Sequence, residues 1–179
     1  MNANKELVER LNNSGAAKRA PGNEWYKLRS GDKSKYYIDV KTFDADPANL
    51  KLIVAALSGM IRENAVAGIE MGSVPIAVGV SLATDKMCYI VRKDRKAHGD
   101  TSLLMGGDVS GKNVAVIDDV VTKGGSVLYA VDVLRERKAI VEHAYCVVDR
   151  EEGGSDAIGA AGVRLHSLVR KSELFGTDH

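Results

Sequence analysis

The sequence predicts an α/β fold with a mostly parallel sheet, on three observations: strand, turn and helix recur in alternation, the strands are unbroken apolar runs, and the intervening segments have helical periodicity. From Val66 onward the runs are "AVAGIEM", "SVPIAVGVSLATD" and "MCYIVR"; after a charged, glycine-containing loop come "NVAVID", "GGSVLYAVDVLRER", "VEHAYCVVD", "SDAIGAAG" and "RLHSLVR". Continuous apolar strands alternating with helices imply a parallel sheet covered on both faces. At 179 residues, with no repeat, low-complexity tract or dividing linker, the chain reads as one domain with a full core.

Ahead of that repeat, Leu7, Val8 and Leu11 lie at helical spacing within Lys5 to Leu11, and Gly15 is a stop signal. "EWYKLRSGDKSKYYIDV" places two short aromatic-rich runs about a Ser-Gly-Asp turn and predicts a β-hairpin. Asp46 as cap and Pro47 at the first position open a long helix, whose stripe of Leu50, Ile53, Val54, Leu57 and Ile61 faces a core. Cys88 and Cys146 sit inside apolar runs without metal-ligand spacing and read as buried structural thiols.

Hydrophobic content is 45% and charged content 27%, and 25 Lys plus Arg balance 24 Asp plus Glu to a net charge of +1. No global field recommends nucleic acid or a membrane as partner, so any electrostatic function is local. "MNANKELVERLNNSG" is polar where a signal peptide carries its apolar region, and no run approaches a membrane span, so a soluble, cytoplasmic protein is expected.

In a parallel sheet the ligand crevice lies beyond the carboxyl ends of the strands. That directs attention to Glu70–Ser73, the loop from Arg92, Asp118–Ser126 and Asp149–Gly154. The turn "TKGGS" offers glycines for close backbone approach, the hydroxyls of Thr122 and Ser126, and amides at a helix N-terminus, a combination suited to phosphate. It has neither the Walker A spacing nor the dinucleotide fingerprint. Asp118 and Asp119, at the end of the preceding strand, can accept hydrogen bonds from vicinal hydroxyls, so acids and turn together suit a ribose 5-phosphate.

"VAVIDDVVTKGGS" resembles the phosphoribosyl pyrophosphate (PRPP) signature of the type I phosphoribosyltransferases. The resemblance implies that Asp118 and Asp119 hold the ribose hydroxyls, while Val120, Val121, Thr122, Lys123, Gly124, Gly125 and Ser126 form the phosphate turn. Whether Lys123 contacts phosphate or solvent is left open. "VRKDRKAHGD" is similar to the catalytic loop of orotate phosphoribosyltransferases, its Arg92, Lys93, Lys96, His98 and Gly99 matching that pattern, with Arg95 between. This implies PRPP binding by Arg92, Lys93, Lys96 and His98, with Lys93, Lys96, His98 and Asp118 as catalytic residues. A solvated charged loop is the ordinary alternative.

"LRSGDKSKYYID" resembles the family's N-terminal motif, which implies Arg29 on the PRPP side and Tyr37 and Ile38 beside the base. Arg150 in "VVDREEGG" takes the place of an arginine that binds the orotate carboxylate, for which a planar fork is well matched, and Thr122 borders the same base. The rival for Arg150 is a salt bridge to Glu151 or Glu152. "GIEMGSVPIAVGVSLA" resembles the pyrophosphate turn, with Gly72 and Ser73 as its contacts, but lacks the bacterial-type lysine, which shifts cationic duty to Arg92, Lys93 and Lys96.

The resemblance runs from about Leu28 to Gly154 and implies a type I phosphoribosyltransferase fold: a central mostly parallel sheet flanked by helices, with a small N-terminal hood over about 1–45 and a core over about 46–179. It further implies transfer of phosphoribosyl from PRPP to N1 of orotate, Mg²⁺ held mainly through PRPP, and a homodimer that shares the basic loop across its interface, with neither nucleic acid nor membrane as partner. The rival readings are a transferase for uracil or a purine, a PRPP-sensing regulator that binds nucleic acid, and a phosphate-binding module without chemistry.

Overall fold

Leu7 and Leu11 are fully buried and dock the first helix, α1 (Ala3–Asn13), against the rest of the protein. The computed structural model describes residues 3–27, 33–93 and 102–176. After α1, β1 (Ala17–Arg19), β2 (Tyr26–Lys27), β3 (Lys33–Ser34) and β4 (Tyr36–Ile38) make two small antiparallel pairs, β1 with β4 and β2 with β3. The expected single hairpin is therefore split. Lys33 and Ser34 return to the first aromatic run, but Tyr36–Ile38 leaves it for β1, which lets Tyr36 bury its ring against Phe175 at a centroid distance of 4.6 Å.

The short helix α2 (Val40–Phe43) follows, capped by Asp39, whose carboxylate accepts from the Thr42 N–H at 3.1 Å. In α3 (Pro47–Met60), Asp46 accepts from the Ala48 N–H at 2.8 Å and Pro47 occupies the first turn, where a missing N–H costs nothing. Of its expected stripe, Ile53, Leu57 and Ile61 are fully buried, while Leu50 and Val54 pack at the margin.

The main sheet is assembled from β5 (Ala65–Ile69), α4 (Val74–Thr84), β6 (Met87–Val91), β7 (Leu104–Met105), β8 (Val114–Val121), α5 (Gly125–Glu136), β9 (His143–Asp149), α6 (Gly154–Ala160) and β10 (Arg164–Arg170), after which α7 (Lys171–Phe175) ends the described chain. Strand order is β10-β9-β8-β5-β6-β7, every pairing parallel except that of β7 with β6. β7 runs back along the end of β6, Leu104 opposite Val91 and Met105 opposite Ile90.

Alternation along β8 divides the core between the two faces. Val114 and Val116 join Val127, Val131 and Leu134 of α5, whereas Ala115 and Ile117 join Ile53 and Leu57 of α3 and Ile76 and Val80 of α4. Burying each Val, Leu or Ile contributes roughly 1.5–3 kcal/mol, so both layers are anchored through this strand. Cys146 is buried as expected; Cys88 is only half-buried, because it lies near the start of β6 next to the exposed Met87. Among the described residues no helix is long and apolar enough to cross a membrane.

Leu57→Ala should lower unfolding free energy by about 2–5 kcal/mol through cavity formation, and Asp46→Ala by about 1 kcal/mol through loss of the cap. Urea titration of the two variants checks both, and equal losses would contradict this ranking.

Candidate active site

β8 continues past its two acids: Val120 and Val121 still pair with Val148 and Asp149 of β9. Asp118 and Asp119 thus lie within the strand rather than at its end, which explains why they are 6% and 8% exposed. The Asp118 carboxylate accepts from the Asp119 N–H at 3.0 Å, and burial, reinforced by the neighbouring Asp119, pushes the Asp118 carboxyl up to about 8. Asp119 has a cation of its own, with Lys41 Nζ 2.9 Å from Oδ2. Its carboxylate also lies against Gly72, where a Cβ would come within 2.6 Å of Asp119 Cγ. Only glycine leaves that space.

The turn after β8 opens to solvent. Lys123 and Gly125 are exposed, Thr122 and Ser126 half-buried, and Gly124 caps α5 in the left-handed conformation with no side chain bonded to the helix's first amides. Those amides are available to an anion. A Cβ on Gly124 would fall 3.1 Å from the Gly154 carbonyl oxygen, and one on Gly154 would strike the Thr122 carbonyl oxygen. The phosphate-type turn and the start of α6 therefore meet backbone to backbone. Val121 buries its side chain in the core, and its carbonyl accepts from the Arg150 N–H at 2.9 Å. Val120 is half-buried.

Ser73 engages its own turn. It is fully buried, its Oγ accepting from the Ile69 N–H at 2.6 Å and donating to the Ile69 carbonyl at 3.0 Å, so the hydroxyl shapes the turn from within. The turn's ligand-facing polar groups are then its backbone and Glu70, whose carboxylate accepts from the Lys93 N–H at 3.4 Å. Lys93 is exposed. Arg92 is 7% exposed: its N–H donates to the Leu103 carbonyl at 2.8 Å, and its carbonyl accepts from Tyr129 Oη at 3.1 Å. Arg92 thus anchors the end of β6 to the segment entering β7. Arg29, Arg95, Lys96, His98 and Gly99 lie outside the described residues.

Arg150 is 5% exposed and ties the hood to the core, one terminal nitrogen lying 2.9 Å from Ser34 Oγ and 2.8 Å from Glu152 Oε1. The rival salt bridge to Glu152 is present. Arg150 Nε is nevertheless buried with no hydrogen-bond partner among the described residues, and a buried unsatisfied donor is costly unless something completes it. Tyr37 is exposed, donates to Asp39 at 3.2 Å and sits 5.4 Å from the Tyr26 ring, while Ile38 is half-buried in β4. Ser34, paired in register with Tyr26, brings this aromatic edge toward Arg150.

Sequence reasoning passed over Lys41, Asp44 and Ser34. Asp44 is buried with Oδ2 unpartnered, and burial, then the charge of Asp119, raises its carboxyl to about 6. The available signal was "IDVKTFD", which concentrates acids and a lysine just after the aromatic pair. Among the described residues no group of three or more His, Cys, Asp or Glu could hold a metal ion by itself.

Buried paired acids and an open glycine turn at a helix N-terminus stand together at the carboxyl side of β8, an arrangement suited to a sugar phosphate. The chain belongs to the phosphoribosyl transferase domain family, matched over residues 39–163. Its relatives narrow the class. It is 48% identical to the orotate phosphoribosyltransferase of Thermoplasma acidophilum over 151 residues, covering 84% of this chain and 88% of that protein. The crystal structure of orotate phosphoribosyltransferase from Aeropyrum pernix superposes with a TM-score of 0.81 at 32% identity, covering 94% of this chain and 95% of that one. That of the Mycobacterium tuberculosis orotate phosphoribosyltransferase in complex with PRPP gives 0.77 at 26% identity, with 96% and 98% covered.

The acid pair makes ligand-free stability depend on pH. Asp118 goes from 3.8 in the unfolded chain to about 8 in the fold, so the native state keeps a proton that the unfolded chain releases between those values. Stability is unaffected below the lower value and declines as pH rises toward the upper one, with Asp44 adding to the decline up to about 6. Asp118→Asn should flatten this slope and raise stability at pH 8 by about 1 kcal/mol or more. Urea unfolding at pH 5 and pH 8 measures it; parallel slopes in the two proteins would contradict the assignment.

Proposed function

We propose that this protein is an orotate phosphoribosyltransferase, joining N1 of orotate to C1 of the PRPP ribose with release of pyrophosphate, in the pyrimidine route to UMP. The observation that carries the reading is the buried Asp118–Asp119 pair, followed at once by the open turn Thr122–Ser126. The unpartnered Arg150 Nε beside the hood favours orotate as the base, because a carboxylate would complete that donor.

In this reading Asp118 and Asp119 orient the ribose hydroxyls while the amides of 124–126, Thr122 and Ser126 hold the 5-phosphate. Lys123 stands at the turn's exposed rim. The C1–oxygen bond to pyrophosphate breaks as N1 of orotate bonds to C1, through a state with positive charge on the ribose. Lys93 and Lys96 neutralise the departing pyrophosphate, His98 donates a proton to it, and Arg92 holds the loop's near end in place; Arg29 assists on the PRPP side. Tyr37 and Ile38 border the base. Mg²⁺ bound mainly through the oxygens of PRPP would supply further charge neutralisation, with Asp118 and Asp119 as the nearby carboxylates of the site.

Free cysteines suit a cytoplasmic setting. A homodimer is supported by the exposed apolar residues Val78 and Leu82, one turn apart on α4, with Met71 in the turn before that helix and Met87 at the start of β6, a surface that a second copy would cover. The basic loop leaves the far end of β6 and would be shared across that interface.

A pyrophosphate-release assay with PRPP, Mg²⁺ and a panel of bases tests the reading: turnover is expected with orotate and absent with uracil, adenine and hypoxanthine, and the reverse preference would overturn it. Arg150→Ala should lower kcat/KM for orotate by about 100-fold, the scale of a lost buried charge pairing. Leu82→Glu should convert the dimer to a monomer in light scattering and lower activity with it.

A further inference from the structure

The hood supplies a cation to the acid pair that neither the signature nor the basic loop contains. Lys41 belongs to α2, its side chain is 57% exposed, and yet its ammonium sits 2.9 Å from an Asp119 carboxylate that is itself only 11% exposed. The residue faces a crowd of acids: Asp39 at the cap of α2, Asp44 just after it, and Asp118 and Asp119 on β8. On the sheet's other approach, Lys93 acts on Asp118. On the far side of Asp119 lies Gly72, in the turn whose Glu70-Met71-Gly72-Ser73 carries no lysine. Asp119 is therefore wedged between a glycine, which leaves it room, and a lysine, which tells it where to point.

Resting on the PRPP-site reading above, we propose that Lys41 is a positioning residue for phosphoribosyl transfer: through its bond to Oδ2 it fixes the Asp119 carboxylate against Gly72, in the orientation that leaves Oδ1 to receive a ribose hydroxyl. A carboxylate has about four acceptor sites, so one occupied by Lys41 still leaves enough for the sugar. The bond matters for a further reason. Four acidic side chains converge where a highly anionic substrate must bind, and without a local cation their mutual repulsion would turn Asp119 away from Gly72 toward solvent. Lys41 reaches the site from α2, so closing the hood on the sheet and aiming Asp119 are one event.

The test compares Lys41→Met, which keeps most of the stem and removes the charge, with Lys41→Arg, after circular dichroism shows both folded. For Lys41→Met the KM for PRPP should rise about tenfold, the value of one charge-assisted hydrogen bond, while KM for orotate stays within about twofold. The acidic limb of log kcat/KM for PRPP should move to higher pH, because the acids lose a cation that favours their ionised form. Lys41→Arg should restore both. In the reverse direction the KM for orotidine 5′-monophosphate should rise and that for pyrophosphate should not.

An unchanged KM for PRPP would overturn the proposal. So would a parallel rise in the pyrophosphate KM, which would make Lys41 a direct contact of the leaving group. Should the wild-type protein fail to turn over orotate, the functional reading fails first. Calorimetric titration of PRPP with Mg²⁺ into wild type and Lys41→Met then decides this proposal, a weaker affinity in the variant sustaining it and an equal one ending it.

Discussion

Two adjacent carboxylates buried in the central strand are the constraint around which the rest is arranged. A strand of valines and isoleucines gains by burial on both faces, and Asp118 and Asp119 forfeit part of that gain by standing in the same ladder. The surrounding structure compensates in specific ways: a glycine where a Cβ would displace Asp119, a lysine from the hood, and a proton retained on Asp118. Such an arrangement is destabilising without a ligand and receptive to one, the usual compromise where activity and stability conflict.

The order of the strands follows from the same demand. Placing β8 between β5 and β9 puts the acids beside the turn after β5 on one side and beside Arg150 after β9 on the other. Sugar, leaving group and base would then be handled by three neighbouring strand ends, with the hood laid over them through Ser34 and Lys41. α2 has only four residues, yet it is the element that carries the hood's charge to the sheet.

The alternating core was legible in the sequence because its elements are long enough to show a period, and Asp46-Pro47 marked the start of α3 by chemistry that needs no tertiary context. The phosphate-type turn was legible because its residues are contiguous. What escaped were elements of two to four residues, β1, β3, α2 and β7, too short for any period to register, and contacts between distant parts of the chain. Lys41 to Asp119 and Arg150 to Ser34 are of this kind. A small hydroxyl residue in a tight turn can serve a ligand or its own backbone, and the bonds of Ser73 to the Ile69 N–H and carbonyl were not legible in the sequence. Nor does a signature reveal where its strand stops, and β8 runs on through Val121.

The seam between Gly124 and Gly154 has a consequence for how this protein can change. Because the loop after β8 and the helix after β9 meet at Gly124 and Gly154, with the Ile158 and Val121 side chains packed against the same contact, a shift in one is passed to the other. The two behave as one casting. In the proposed reading, a redesign that re-aims the residues following Arg150 toward a different base would move the grip on the sugar phosphate as well, so a new specificity is more readily sought from the hood's side of the cleft, where Ser34, Tyr37 and Ile38 belong to short strands that can be altered without disturbing that joint.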